Sequence, residues 1–257
     1  MMDSNTDSDI KVRQPVIVVR HLYKKFGEHI VLNDFSLDVA KGENMVVLGK
    51  SGSGKSVLVK CIVGLIKPDS GSVTVLGENI EELKESELDK LRIKLGFLFQ
   101  SNALFDSMSI RDNLEFTVLR HCKGISQLLL DEMVAEVLHN VGLADTAEMM
   151  PVELSGGMAK RIALARALIL KPEIIFYDEP TAGLDPVTAR EIDDLILKMQ
   201  KKYHTSSVII SHDMNCVKYT ADRIALLLDG KCYVQGSYFE LSESKDEKIS
   251  QFFKDQI

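Results

Sequence analysis

The chain has 257 residues, 45% of them hydrophobic and 27% charged, which suits one large domain or one domain with an insertion. Its net charge of −7 argues against sequence-independent nucleic-acid binding, and no apolar run approaches the ~18 residues of a membrane helix. Four scattered cysteines without a C-x-x-C pair, and six histidines without a zinc-type spacing, argue against a disulfide framework or a common zinc motif.

Residues 1–14 open polar and acidic, which reads as a flexible leader and not as a secretory signal. The chain is therefore expected to be soluble and intracellular. Val16 to Val19 predicts the first strand, and Phe35, Leu37 and Val39 alternate with polar residues as in a half-buried antiparallel strand. Lys41 to Asn44 is a turn into the apolar run Met45-Val46-Val47-Leu48.

That run feeds Gly49-Lys50-Ser51-Gly52-Ser53-Gly54-Lys55-Ser56, which fits the phosphate-loop pattern G-x-x-x-x-G-K-[ST]. Val57, Leu58, Ile62 and Leu65 follow at helical spacing. Strand, glycine loop and helix form a phosphate cradle: backbone N–H groups turn inward, and the helix N-terminus adds partial positive charge. Lys55 is placed to reach the β- and γ-phosphates of a bound ATP, and Ser56 to ligate Mg²⁺.

Asp69-Ser70-Gly71 predicts a turn and Ser72 to Leu76 a strand; Phe97-Leu98-Phe99 predicts another strand, ending at Gln100. From about 101 to 155 the pattern is helical, with Leu128, Met133, Val137 and Val141 as one apolar face. Leu154-Ser155-Gly156-Gly157 opens a helix running through Arg166 and reads either as a second anion site or as a plain helix cap.

Ile174 to Tyr177 is an apolar strand ending in Asp178-Glu179, and Ser207 to Ile210 is another, ending in Ser211-His212-Asp213. Ile224 to Leu228 is a third, with helices expected near 187–202 and 214–221. A carboxylate closing a buried strand is costly unless it meets a cation, which Mg²⁺ on a nucleotide supplies. Glu179 is then a candidate general base for the attacking water. Gly49, Gln100, Asp178 and His212 all lie just past strand ends, where α/β sheets hold ligands.

The ordered set Gly49–Ser56, Gln100, Leu154–Gly157, Asp178-Glu179, Gly183-Leu184-Asp185 and His212 resembles the nucleotide-binding subunit of an ATP-binding cassette (ABC) transporter over residues 16–240. The resemblance implies an α/β fold: a P-loop NTPase core with a parallel sheet, a small antiparallel β subdomain and an inserted helical subdomain. The cassette would span 15–241, followed by a tail at 242–257. It implies that Phe26 stacks on adenine, and that Gln100 senses Mg²⁺ and water in a loop touching the membrane partner. It implies that Ser155, Gly156 and Gly157 meet the nucleotide of a second copy, that Asp185 links the copies, and that His212 contacts the γ-phosphate. Ser56, Gln100 and Asp178 would serve the metal.

Met158 departs from the general pattern, which has Gln there. With Ala103 to Met108 and Ala182 to Pro186, it makes the chain similar to Mla-type lipid-trafficking cassettes. These imply permease subunits and a membrane-anchored lipid-binding protein as partners, no nucleic acid, and a peripheral place on the cytoplasmic face of the inner membrane. An amino-acid or other small-solute cassette is the alternative cargo reading. Non-transport cassettes commonly carry two phosphate loops or long coiled-coil inserts, and this sequence has one loop and no sustained heptads. Phe252-Phe253 in the tail is expected to dock on a neighbouring copy.

Overall fold

The computed structural model describes residues 14–254; the expected leader therefore lies, but for Gln14, outside the described residues. In chain order, a hairpin of β1 (Pro15–Phe26) and β2 (His29–Ala40) precedes β3 (Asn44–Leu48) and α1 (Lys55–Ile62). Next come β4 (Ser70–Val75), β5 (Glu78–Asn79), α2 (Glu85–Ile93) and β6 (Leu95–Leu98). The helices α3 (Ile110–His121), α4 (Gln127–Asn140) and α5 (Gly156–Leu168) follow. The remainder runs β7 (Ile174–Asp178), α6 (Pro186–Tyr203), β8 (Ser206–Ser211), α7 (Met214–Thr220), β9 (Arg223–Leu228), β10 (Lys231–Gly236), α8 (Tyr238–Ser242) and α9 (Glu247–Lys254).

Among the described residues the strands make two sheets. An antiparallel sheet has the order β2-β1-β4-β5, and a six-stranded sheet has the order β10-β9-β3-β8-β7-β6. The larger sheet is parallel except where β10 pairs with β9. Its parallel strands are apolar on both faces, and their two-residue period sorts them into two cores. Met45, Val47, Ile174, Phe176 and Val208 pack toward α1 and the antiparallel sheet. Val46, Leu48, Ile175, Tyr177 and Ile209 pack toward the helices α3 to α7. Each buried strand is therefore covered on both sides, which is why its sequence shows no polar alternation.

Register brings the strand ends level. Leu48 pairs with Ser211, Asp178 with Ile210, and Leu98 with Tyr177. The loops leaving β3, β6, β7 and β8 thus emerge along one edge of the sheet, at the carboxyl ends of its parallel strands.

Several expectations shift. The strand expected at Phe97–Phe99 is Leu95–Leu98, with Phe99 outside it and 45% exposed. Gly96 lets this strand lie against α5, since a Cβ there would sit 2.6 Å from the Ala167 carbonyl oxygen. On α4 the buried stripe is Leu130, Val134, Val137 and Leu138, while Leu128 is 71% exposed. Two residues of helix turn the side chain by about 200°, so Leu128 points away from that stripe. The hairpin strand β10 escapes the apolar pattern because its Lys231, Tyr233 and Gln235 face outward. Asp229 and Gly230, both at positive φ, make the two-residue turn before it.

Cys61 and Cys216 are buried and all four thiols are free. Among the described residues, no helix is long and apolar enough to cross a membrane.

Candidate active site

The phosphate loop leaves the fully buried β3 and enters α1 at Lys55. Gly52 and Gly54 adopt φ of 75° and 105°, and Gly54 caps the helix. Gly49 is needed for space: a Cβ there would lie 2.7 Å from Ser53 Oγ and 2.8 Å from the Leu227 carbonyl oxygen. The Lys55 ammonium is buried and donates to the carbonyls of Gly49 at 2.7 Å and Lys50 at 2.9 Å. Burial lowers its pKa, and the charges of Glu179 and Asp178 oppose that shift.

Across the cavity, Asp178 closes β7 and Glu179 follows at φ 50°. That left-handed geometry is uncommon for a side-chain-bearing residue. It is held by the Glu179 N–H, which donates to the Ile210 carbonyl at 2.9 Å. The Glu179 carboxylate also meets His212: Oε1 is 2.9 Å from Nδ1, and Oε2 accepts from the His212 N–H at 3.4 Å. Asp178 is pushed toward protonation by burial and then by the Glu179 charge, with Lys55, Lys160 and Lys60 pulling the other way.

A cavity of about 740 Å³ opens between these groups, within the usual size for small-molecule sites. It is lined by Phe26 at the end of β1, by Gly49, Lys50, Ser51, Gly52, Gly54, Lys55, Ser56 and Val57, and by Gln100, Asp178, Glu179 and His212. Ser53 does not line it; its hydroxyl is buried within the loop. The donor set of Ser56 hydroxyl, Gln100 and Asp178 oxygens suits a hard cation that shares phosphate ligands. Among the described residues, no cluster of three or more His, Cys, Asp or Glu side chains forms a protein-only metal cage.

Ser155, Gly156, Gly157 and Asp185 lie outside this cavity, on a second surface. Ser155 caps α5, its hydroxyl accepting from the Met158 N–H at 3.3 Å. Asp185 caps α6 by accepting from the N–H groups of Val187 and Thr188 at 3.0 and 3.1 Å and from the Thr188 hydroxyl at 2.5 Å. Those bonds hold its carboxyl below the ordinary range, the Thr188 hydroxyl first. The two helix tips touch, because a Cβ on Gly157 would fall 2.6 Å from Thr188 Cγ2.

Other residues of the site were not singled out in the sequence. Lys160 on α5 bonds to the backbone of Phe99 and Gln100. A lone lysine in the apolar-facing part of that helix was the available signal. Gln251 and Phe252 of α9 line the cavity, which no local pattern announces. Phe252 and Phe253 are half-buried against their own chain, Phe253 edge-on to Tyr238 at 5.4 Å, and not presented outward as expected.

The family model described as ABC transporter matches residues 32–182. The chain belongs to the ABC transporter family. It is 37% identical over 243 residues to the intermembrane phospholipid transport system ATP-binding protein MlaF of Haemophilus influenzae, covering 95% of this chain and 92% of that one. It is 38% identical over 236 residues to a Mycobacterium leprae protein named "Probable ribonucleotide transport ATP-binding protein mkl", covering 92% of this chain and 68% of that one. The fold is similar to the dimeric post-hydrolysis structure of the ATP-binding cassette MJ0796 bound to ADP and Pi, with a TM-score of 0.77 and 32% identity over 86% of this chain and 98% of that one. This ABC protein is thus an ATP-hydrolysing subunit of a transporter, built as a P-loop α/β core with a separate antiparallel sheet and a set of helices.

Proposed function

We propose that this ABC ATPase powers phospholipid movement between membranes, working as a pair of copies beneath a permease. The observation that carries the cargo is the similarity to MlaF along nearly the whole of both chains. The mkl relative is matched over a smaller share of its own length, and its name offers ribonucleotides as the rival cargo.

In this reading the phosphate loop and Lys55 hold the triphosphate, and Phe26 stacks on adenine. Ser56, Asp178 and Gln100 hold Mg²⁺, which neutralises phosphate charge when bound. Glu179 takes the proton of the attacking water, and His212 orients Glu179 and meets the γ-phosphate. Ser155 to Gly157 complete the site of the opposite copy, and Asp185 links the two. The opposition of Lys55 to Asp178 and Glu179 across one cavity supports these roles, as does the contact between the α5 and α6 tips.

The segment Gln100 to Met108 passes motion to the permease on the cytoplasmic side of the membrane. Exposed Phe99, Phe105, Phe116 and Leu119 beside it support a docking role. A membrane-anchored lipid-binding protein completes the assembly.

Purification of the chain with its membrane partners, followed by lipid analysis, tests the cargo. Co-purifying phospholipid, and ATPase stimulated by vesicle lipid, are expected. A solute-binding protein for amino acids or nucleotides in the same complex would reverse the assignment.

A further inference from the structure

Lys160 is a buried charge that does not line the cavity. It is 2% exposed, and a buried ammonium is costly unless its donors are used. Here they are spent on backbone: Nζ donates to the carbonyl oxygens of Gln100 at 2.8 Å and Phe99 at 3.3 Å. The lysine sits five residues after Ser155 on α5 and feels the charges of both Asp178 and Glu179.

The loop it holds has little regular structure of its own. Asn102 and Ala103 are consecutive side-chain-bearing residues at φ 62° and 53°. Arg166, also from α5, donates to the Ala103 carbonyl at 2.5 Å and the Asn102 carbonyl at 2.9 Å. Asn113 of α3 donates to the carbonyls of Phe105 and Met108, both at 3.1 Å. Three side chains thus tie the loop, and of these Lys160 does so at the Gln100 carbonyl itself.

We propose that Lys160 is a positioning residue for ATP hydrolysis: its ammonium fixes the Gln100 peptide, so that the Gln100 side chain is presented beside Asp178 and Glu179. It also makes the placement of Gln100 depend on α5, the helix whose tip carries Ser155. The inference rests on Gln100 serving the metal and the attacking water.

A methionine fills the space of lysine but leaves two carbonyls without their donor, whereas arginine keeps charge and donors. Lys160→Met is expected to lower turnover ~10–100-fold, the scale of a misplaced catalytic group. Affinity for a fluorescent ATP analogue should stay within about threefold, and half-saturating Mg²⁺ should rise several-fold. Lys160→Arg should recover most of the lost turnover. Hydrogen exchange should show amides 100–104 of Lys160→Met opening at least ~10-fold faster, with β3 and β8 unchanged.

Gln100→Ala separates the two layers of the inference. If Gln100→Ala is slow while Lys160→Met turns over and exchanges like the parent, Lys160 has no positioning role and the Gln100 reading stands. If Gln100→Ala itself turns over normally, the Gln100 reading fails and the proposal with it. Should Lys160→Met not fold, Lys160→Gln and Lys160→Arg carry the test: a slow Gln variant beside a fast Arg variant supports positioning, and two parent-like variants overturn it.

Discussion

Glu179 Oε1 lies 2.9 Å from His212 Nδ1, although the two residues leave different strands. The contact exists because β7 and β8 are adjacent and in register, with Asp178 opposite Ile210. Glu179 turns back through a positive φ and is held by the backbone of Ile210 and His212. Its carboxylate is thereby aimed by both the ring and the backbone N–H of His212.

Replacing Glu179 with Gln keeps size and most hydrogen bonds but removes the base. Turnover is expected to fall by about two to four decades, the scale of general-base catalysis. Binding of a fluorescent ATP analogue should be retained. A phosphate-release assay checks the first point, and parental rates in that assay would take Glu179 out of the role.

Phe26 is 49% exposed at the cavity wall, so its ring is available to a base. Phe26→Ala is expected to weaken ATP binding by roughly 1–3 kcal/mol, the worth of one aromatic–base stack. Competition by inorganic tripolyphosphate, which has no base, should not change. Equal loss for both ligands would mean that the substitution disturbs the phosphate loop instead.

Gly157 has no room for a side chain, since Thr188 is locked by its bond to Asp185. Gly157→Ala is expected to cost about 1–3 kcal/mol through overpacking. Thr188→Ala should return most of that loss in the double variant, a coupling that a thermal-melt cycle measures. Additive losses would show that the two helix tips do not press on each other.

Asp193 of α6 is buried, with no partner for Oδ1 among the described residues, and burial raises its carboxyl pKa to about 6. Cys216, Asp213, Arg190 and Asp194 are the groups that act on it. The folded chain therefore holds this proton up to about pH 6, while the unfolded chain releases it near the ordinary carboxyl value of about 4. Ionisation thus costs stability progressively as pH rises between about 4 and 6. Asp193→Asn should melt a few degrees higher at neutral pH, with the gain shrinking toward pH 4. An offset independent of pH would remove Asp193 as the source.

What the sequence determined by itself is local. Gly49 to Ser56 fixes its own conformation through glycine dihedrals and the strand and helix it joins, so the phosphate loop is legible without a fold. The doubly apolar strands and the cap at Ser155 are legible for the same reason. Tertiary structure decided everything that depends on pairing distant segments. Lys160 reaches the Gln100 carbonyl across 60 residues, and Phe252 enters the wall of a cavity whose phosphate loop lies some two hundred residues earlier. Such contacts arise when register aligns strand ends and helices dock on both faces of the sheet, and no short-range periodicity records where a side chain's far neighbour will be.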